Sequence, residues 1–217
     1  VFDAGEVVDN TQLGLLYEKD ISSSQEISLT AHLNRRLFSN KLPFTSGGTV
    51  EFERLAPGLG ARTVINSRLR NKPIRWIAGA ALSHQRDDRK RFDNNNGIKG
   101  SQTLDRFETV TSIGPYLRAE WQESPRIELV AGIRYDHVEF DLEDNFLSDG
   151  DQSGSKTLSE WSGTLGAVYH FNKSLHGYAN IATAFETPTT TELANDPSGG
   201  SGFNQNLDSQ LSVSYEV

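Results

Sequence analysis

Residues 163–193 read GTLGAVYHFNKSLHGYANIATAFETPTTTEL, and this stretch folds on paper into a hairpin whose two arms agree on which face is apolar. With Asn172, Lys173 and Ser174 as a three-residue turn, Phe171 falls opposite Leu175, Tyr169 opposite Gly177, Ala167 opposite Ala179, Leu165 opposite Ile181 and Trp161 opposite Phe185. The other face pairs His170 with His176, Val168 with Tyr178, Gly166 with Asn180 and Thr164 with Ala182, a mixed and partly polar set. Strict alternation over about ten residues, with aromatic residues at both ends of the apolar band, meets the requirement for a hairpin that crosses a membrane in a β-barrel.

Composition agrees with that reading. Hydrophobic residues make up 35% of the chain and the mean hydropathy is -0.51. No run approaches the roughly 18 consecutive apolar residues of a spanning helix, which excludes a helical membrane protein. A barrel strand turns only alternate residues to lipid, so a polar average is compatible with spanning. A soluble all-β protein fits the same figures. Cysteine is absent, which removes disulfide frameworks, thiolate nucleophiles and thiolate metal sites. Methionine is absent too, Val1 is not a translation start, no signal-peptide succession opens the chain, and Ser212 to Val217 stops in mid-alternation. The expectation is an internal segment of a longer protein. A net charge of -8, from 29 acidic and 21 basic residues, argues against nucleic acid as a partner. The charge run Arg86 to Arg91 (RDDRKR), diluted by two aspartates and followed by Asn94 to Gly97, reads as a solvated loop tip.

Two more hairpins obey the same arithmetic. Around Gln122 to Arg126, Trp121 opposes Ile127, Ala119 opposes Leu129, Leu117 opposes Ala131 and Ile113 opposes Tyr135. Around Arg70 to Pro73, Leu69 opposes Ile74, Ser67 opposes Trp76, Ile65 opposes Ala78 and Ala61 opposes Leu82. Long polar connections are expected at Gln85 to Glu108, Glu143 to Lys156 and Glu186 to Leu207, so that short turns lie at one rim and long loops at the other, as in outer-membrane barrels. The strand from Arg126 to Glu143 outlasts the membrane. Its apolar parity (Ile127, Leu129, Ala131, Ile133, Tyr135) gives way to His137, Glu139, Asp141 and Glu143, with Tyr135 marking the interface. Towards the N-terminus, Gln12 to Tyr17, Glu26 to Asn34 and Thr49 to Leu55 are expected strands, with Ala56 to Gly60 (APGLG) between strands at an unassigned rim. The count is about nine or ten strands, within the bacterial range of 8 to 26.

From Ile133 onward the chain resembles the TonB-dependent outer-membrane receptors. The matching pieces are Ala131 to Asp136 (AGIRYD), Leu165 to Phe171 (LGAVYHF), Leu175 to Leu193 and Gly202 to Glu216 (GFNQNLDSQLSVSYE). Most specific is the strand followed by Ala184, Phe185, Pro188, Thr189, Glu192 and Leu193. Asp208, Ser209 and Gln210 stand where the family usually has lysine, proline and glutamate. The resemblance implies an all-β fold, with residues 1–217 an internal segment of about ten strands from an antiparallel transmembrane barrel of 22 strands. A plug domain and the C-terminal strands lie outside the segment. It implies outer-membrane import of a ferric siderophore or similar scarce chelate, energised by the TonB–ExbB–ExbD complex through the plug. A porin or adhesin-type barrel without a plug is the alternative, and a soluble β-rich domain a third reading, contradicted if the apolar faces are exposed. As a piece with open edges, the segment is expected not to fold stably alone.

Chemistry is expected to be binding rather than catalysis. Lumenal candidates facing the plug are Arg118, Glu120, Glu128, Arg134, Asp136, Tyr178 and Asn180. The paired carboxylates of Glu120 and Glu128 resemble an acid and base pair, but with Arg118, Arg126 and Arg134 alongside they read as a wall network. Loop candidates for ligand contact are Arg89, Arg91, Phe92, Phe107, Phe146 and Phe203, each weighed against simple packing on a neighbouring loop. His170 and His176 have no third ligand in reach and read as exposed histidines. Asp149 to Asp151 with Asp144 and Ser153 lacks the closing glutamate of a calcium loop. No enzyme, cofactor or metal is expected.

Overall fold

The computed structural model describes residues 2–195 and 202–217. Nine strands form one antiparallel sheet in simple chain order: β1 (Gly5–Ser22), β2 (Gln25–Lys41), β3 (Thr49–Leu69), β4 (Lys72–Asn95), β5 (Ile98–Ser124), β6 (Ile127–Asp144), β7 (Gly154–His170), β8 (His176–Glu186) and β9 (Gln210–Glu216). The sheet is open, with β1 and β9 at its edges. A single helical turn, α1 (Thr190–Leu193), sits in the β8–β9 connection.

The hairpin that opens the sequence reading forms in the expected register from Thr164–Ala182 to His170–His176. The turn closes with Phe171 N–H donating to the Leu175 carbonyl at 3.0 Å, and Asn172 Oδ1 accepts the Ser174 and Leu175 amides. The expected Trp161–Phe185 pair is absent because the β7–β8 ladder ends at Thr164. Trp161 instead pairs with Tyr135 of β6, rings 4.9 Å apart.

Two registers differ from expectation by two residues. Trp121 pairs with Leu129 rather than Ile127, and Ile65 pairs with Trp76 rather than Ala78. Both turns are tighter than the sequence suggested. Arg70 and Asn71 adopt φ of 50° and 63°, the all-positive geometry of a two-residue type I′ turn. At the other hairpin a bulge between Gln122 and Ser124 absorbs the remaining residues. A slip of two keeps every side chain on its face, so the apolar band survives.

The larger correction concerns the rims. Gln85 to Glu108 is no loop: β4 and β5 run on for 24 and 27 residues and turn only at Asn96 and Gly97, where a spanning strand needs about 9–11 residues. The run Arg86 to Arg91 is therefore strand. Ala56 to Gly60 also lies inside β3, which joins two expected segments into one. The short turns near residues 23, 70, 125 and 172 share one rim, and the connections 42–48, 96–97, 145–153 and 187–209 share the other.

One face carries a continuous apolar band that includes Leu15, Leu29, Leu59, Leu82, Leu117, Leu129, Ile133, Leu165, Ile181 and Val213, nearly all strongly exposed. A hollow of about 820 Å³ lies on this face between Leu69, Trp76, Trp121, Leu129, Leu165 and Tyr215. Its lining holds apolar surface and no convergent reactive groups. The packed core lies elsewhere, beyond the band and on the opposite face. There Val138, Phe140 and Leu158 bury against fully buried Leu193 of α1, with Val110, Phe203 and Leu207 packed around them.

Candidate functional site

Strand alternation divides the run Arg86 to Arg91 between the two faces. Arg86, Asp88 and Lys90 follow the parity of the apolar band, while Asp87, Arg89 and Arg91 point to the other face. Two rows of that other face then cross the sheet. In one, Arg36, Arg54, Asp87 and Glu108 stand side by side on β2 to β5; in the next stand Phe38, Phe52, Arg89 and Arg106. Arg36 lies directly opposite Arg54, Arg89 opposite Arg106, and Asp87 opposite Glu108. Like charges directly opposed across strands are destabilising, so each must find its partner sideways.

Most do. Arg54 grips Asp87 through two bonds, Nε to Oδ1 at 2.8 Å and Nη2 to Oδ2 at 2.6 Å. Arg106 Nε donates to Glu108 Oε1 at 2.7 Å, and Arg89 Nε lies 3.3 Å from the same oxygen, off the bonding axis. Thr190 at the start of α1 donates its hydroxyl to the other Glu108 oxygen at 2.8 Å. Asp87 and Glu108 are completely buried, a placement tolerable only because each carboxylate is paired. Phe38 and Phe52 stack at 4.8 Å, with Arg36, Arg54 and Arg89 over the Phe52 ring at 5.3 to 5.8 Å.

Positive charge is in surplus. Five guanidiniums (Arg36, Arg54, Arg89, Arg91, Arg106) face the carboxylates of Asp87 and Glu108, and the Nε atoms of Arg36, Arg89 and Arg91 are buried without a hydrogen-bond partner. Arg91 lies beyond the band, and its burial together with the charges of Arg106 and Arg89 pushes it below the usual arginine value. Each unmade bond of this kind costs about 1–3 kcal/mol, which an anion placed among these groups would recover.

The residues singled out in the sequence are spread over several places. Arg89 and Arg91 belong to the arginine cluster, but as strand residues rather than loop residues. Phe92 and Phe107 are also strand residues, each under a cation: Lys99 Nζ is 3.8 Å from the Phe92 ring and Arg86 is 4.2 Å from that of Phe107. Phe146 is in the 145–153 connection, and Phe203 packs against the buried core. Arg118 and Arg75 both pair with Glu120, at 3.0 and 3.1 Å. Arg134 forks onto Asp136 over Gly114, where a Cβ would overlap the guanidinium. Glu128 makes no ion pair among the described residues. Glu216 holds Tyr178 and Asn180 at 3.1 and 2.8 Å. Asp144 accepts the Phe146 and Gln152 amides, so its carboxylate is already committed to its own loop.

Arg36, Arg54, Asp87, Arg106 and Glu108 escaped the sequence reading. Period-two alternation carried through 85–108 would have found the last three, since it leaves Asp87, Arg89, Arg91, Arg106 and Glu108 on one face. Among the described residues no helix is long and apolar enough to cross a membrane.

A family model described as "TonB dependent receptor-like, beta-barrel" matches residues 3–217. Among solved structures, the sheet superposes on the ferric citrate transporter FecA in its unliganded form (TM-score 0.79, 13% identity, 97% of this chain and 32% of that chain). It also matches the ferric-catecholate import receptor Fiu from E. coli K12 (0.77, 13%, 98% and 38%) and the siderophore receptor PiuA from Acinetobacter baumannii (0.77, 14%, 99% and 38%). The chain spans about a third of the length of each of these proteins.

Proposed function

Because this chain belongs to the TonB-dependent receptor β-barrel family, we propose that it is part of the wall of an outer-membrane receptor that imports a ferric siderophore or a similar scarce, anionic chelate. In this reading the apolar band meets lipid and the opposite face lines the lumen. The rim of short turns is periplasmic, and the rim bearing the arginine cluster faces outward. A plug domain and further strands complete the barrel, and the TonB–ExbB–ExbD complex supplies the energy through the plug. Residues 1–217 form one barrel segment within that larger protein.

The observation that carries the ligand class is the surplus of guanidiniums on the lumenal wall beyond the band. An anionic iron chelate presents several carboxylate or phenolate oxygens, and forked guanidinium donors recognise such groups in pairs. Phe38 and Phe52 offer an apolar platform beside them for the organic part of a chelate. Arg118, Glu120, Arg134, Asp136, Glu128, Tyr178 and Asn180 lie lower on the same face and are assigned to contact with the plug. Phe146 and Phe203, from the two long connections, border the mouth.

The test is uptake of ⁵⁵Fe-labelled siderophores by cells expressing the full-length receptor, with and without functional TonB. Uptake that requires TonB and falls in Arg89→Gln and Arg91→Gln cells supports the proposal. Uptake indifferent to TonB points to a passive pore, and transport of neutral and anionic chelates alike, unaffected by these substitutions, refutes the arginine site.

A further inference from the structure

At the far rim from the arginine cluster, the β7–β8 hairpin brings two histidine rings face to edge. His170 and His176 are opposed across the ladder, and the neighbouring pair Phe171–Leu175 exchanges a backbone bond, while His170 N–H donates away from the hairpin to the Arg126 carbonyl at 2.8 Å. The histidines therefore occupy a non-hydrogen-bonded pair, the position at which antiparallel strands bring side chains closest. Their ring centroids are 4.6 Å apart with planes at 81°, and the two Nδ1 atoms share a hydrogen bond of 2.6 Å, which a metal ion held between them would replace.

We propose that His170 and His176 form a two-imidazole chelate for a borderline divalent transition-metal ion, of the copper(II) or zinc class, at this rim. Two nitrogens bound to one such ion at about 2.0–2.1 Å stand about 2.9–3.3 Å apart, so the rings need open by well under about 1 Å. Rigidity favours the site. The turn is pinned by the two amide bonds to Asn172 Oδ1, and the hairpin end by the edge-on contact of Tyr169 with Phe171 at 4.8 Å on the opposite face. His176 is exposed and His170 half-buried at the rim, which leaves the remaining coordination positions to water or to a ligand from outside the sheet. Imidazole suits copper and zinc better than magnesium or calcium, and copper(II) binds most tightly of the divalent series. The site is independent of the arginine cluster: it lies on the same face at the opposite rim and uses neither charge nor loop.

The experiment uses the full receptor in detergent, free of any histidine tag, titrated with copper(II) and read by electron paramagnetic resonance. One copper per chain with hyperfine structure from two nitrogens is expected, and His170→Gln or His176→Gln is expected to weaken binding at least tenfold and remove the two-nitrogen pattern. His176 is exposed and His170 half-buried, and heat-modifiable electrophoretic mobility verifies that each variant retains its barrel. Absence of a two-nitrogen signal in the wild-type receptor, or a signal unchanged in either variant, overturns the assignment.

Discussion

Strand β6 is two strands in one. From Ile127 to Tyr135 the odd residues are apolar, with Leu129, Ala131 and Ile133 exposed, while the even ones are Glu128, Val130, Gly132 and Arg134. From Val138 to Leu142 the alternation continues unbroken but the assignment inverts: Val138, Phe140 and Leu142 are buried on the even face, and His137, Glu139 and Asp141 stand on the odd one. On β4 the apolar parity also ends, Trp76, Ala78, Ala80 and Leu82 yielding to Arg86, Asp88 and Lys90, but there the opposite face carries the charged Asp87, Arg89 and Arg91. The backbone is indifferent to the change. In the proposed membrane placement what differs is the solvent on the band side, hydrocarbon along one half and water along the other, so on β6 the apolar residues change faces to stay out of water.

The sharpest way to break this comparison is at the core of the extension. Phe140 is 4% exposed, and Phe140→Ala should cost about 3–5 kcal/mol of local stability. Loss of protection of residues 187–195 against proteolysis, with the barrel's heat-modifiable mobility retained, is the expected result. Unchanged protection would mean that the extension does not depend on this core. The next effect tests the band with one substitution at two heights of the same parity. Leu129→Arg should destabilise by about 2–4 kcal/mol in a lipid bilayer, whereas His137→Arg, eight residues along and beyond the band, should stay within about 0.5 kcal/mol. Equal effects in reversible urea unfolding from vesicles would sink the inversion.

A smaller effect probes what the inversion makes room for. Burying Asp87 and Glu108 among arginines is feasible only on a face withdrawn from bulk water yet open at its rim. Charge-assisted bonds contribute about 1.5–3 kcal/mol each, so Arg89→Gln should weaken binding of an anionic ferric chelate roughly tenfold to a hundredfold, as read by tryptophan fluorescence quenching. The loss should shrink as salt is raised. An affinity unchanged by Arg89→Gln removes this residue from the ligand site.

Much of the sheet was legible because a period of two needs only parity. Gly163 to Leu193 registered correctly since its turn holds three residues, and Asn172 is suited to organise them. The other two hairpins slipped by two because Arg70 and Pro125 do not announce whether a turn closes at once or after a bulge. The misreading of Gln85 to Glu108 has a different origin. Its charge density resembles a loop, and it is strand because it ladders with β3 on one side, where Arg54 pairs with Asp87, and begins to ladder with β6 on the other, where Arg106 opposes Asp144. Arg36 and Arg54 are distant in sequence, so their place in the arginine cluster was invisible to any local reading.

The weakest expected effect lies in the connection that covers the extension. Thr189 caps α1 reciprocally with Glu192: the Thr189 hydroxyl accepts the Glu192 amide at 3.2 Å, and Glu192 Oε2 accepts the Thr189 amide at 2.8 Å. The Thr189 amide, then its hydroxyl, hold the Glu192 carboxyl below its ordinary value of 4.5. A carboxyl lowered on folding binds fewer protons in the ordered loop than in the released one, so its contribution is complete above the ordinary value and fades as pH falls through the depressed one. Leu193, fully buried against Phe140, hangs from this turn. Hydrogen exchange of residues 189–195 should therefore be slow and flat near neutrality and should accelerate, relative to the intrinsic rate, once pH falls below the ordinary carboxyl value. Glu192→Gln should abolish that acid step while leaving exchange across β6 unchanged. An acid step of the same size in Glu192→Gln would place its origin elsewhere in the loop and detach the cap from the core it holds.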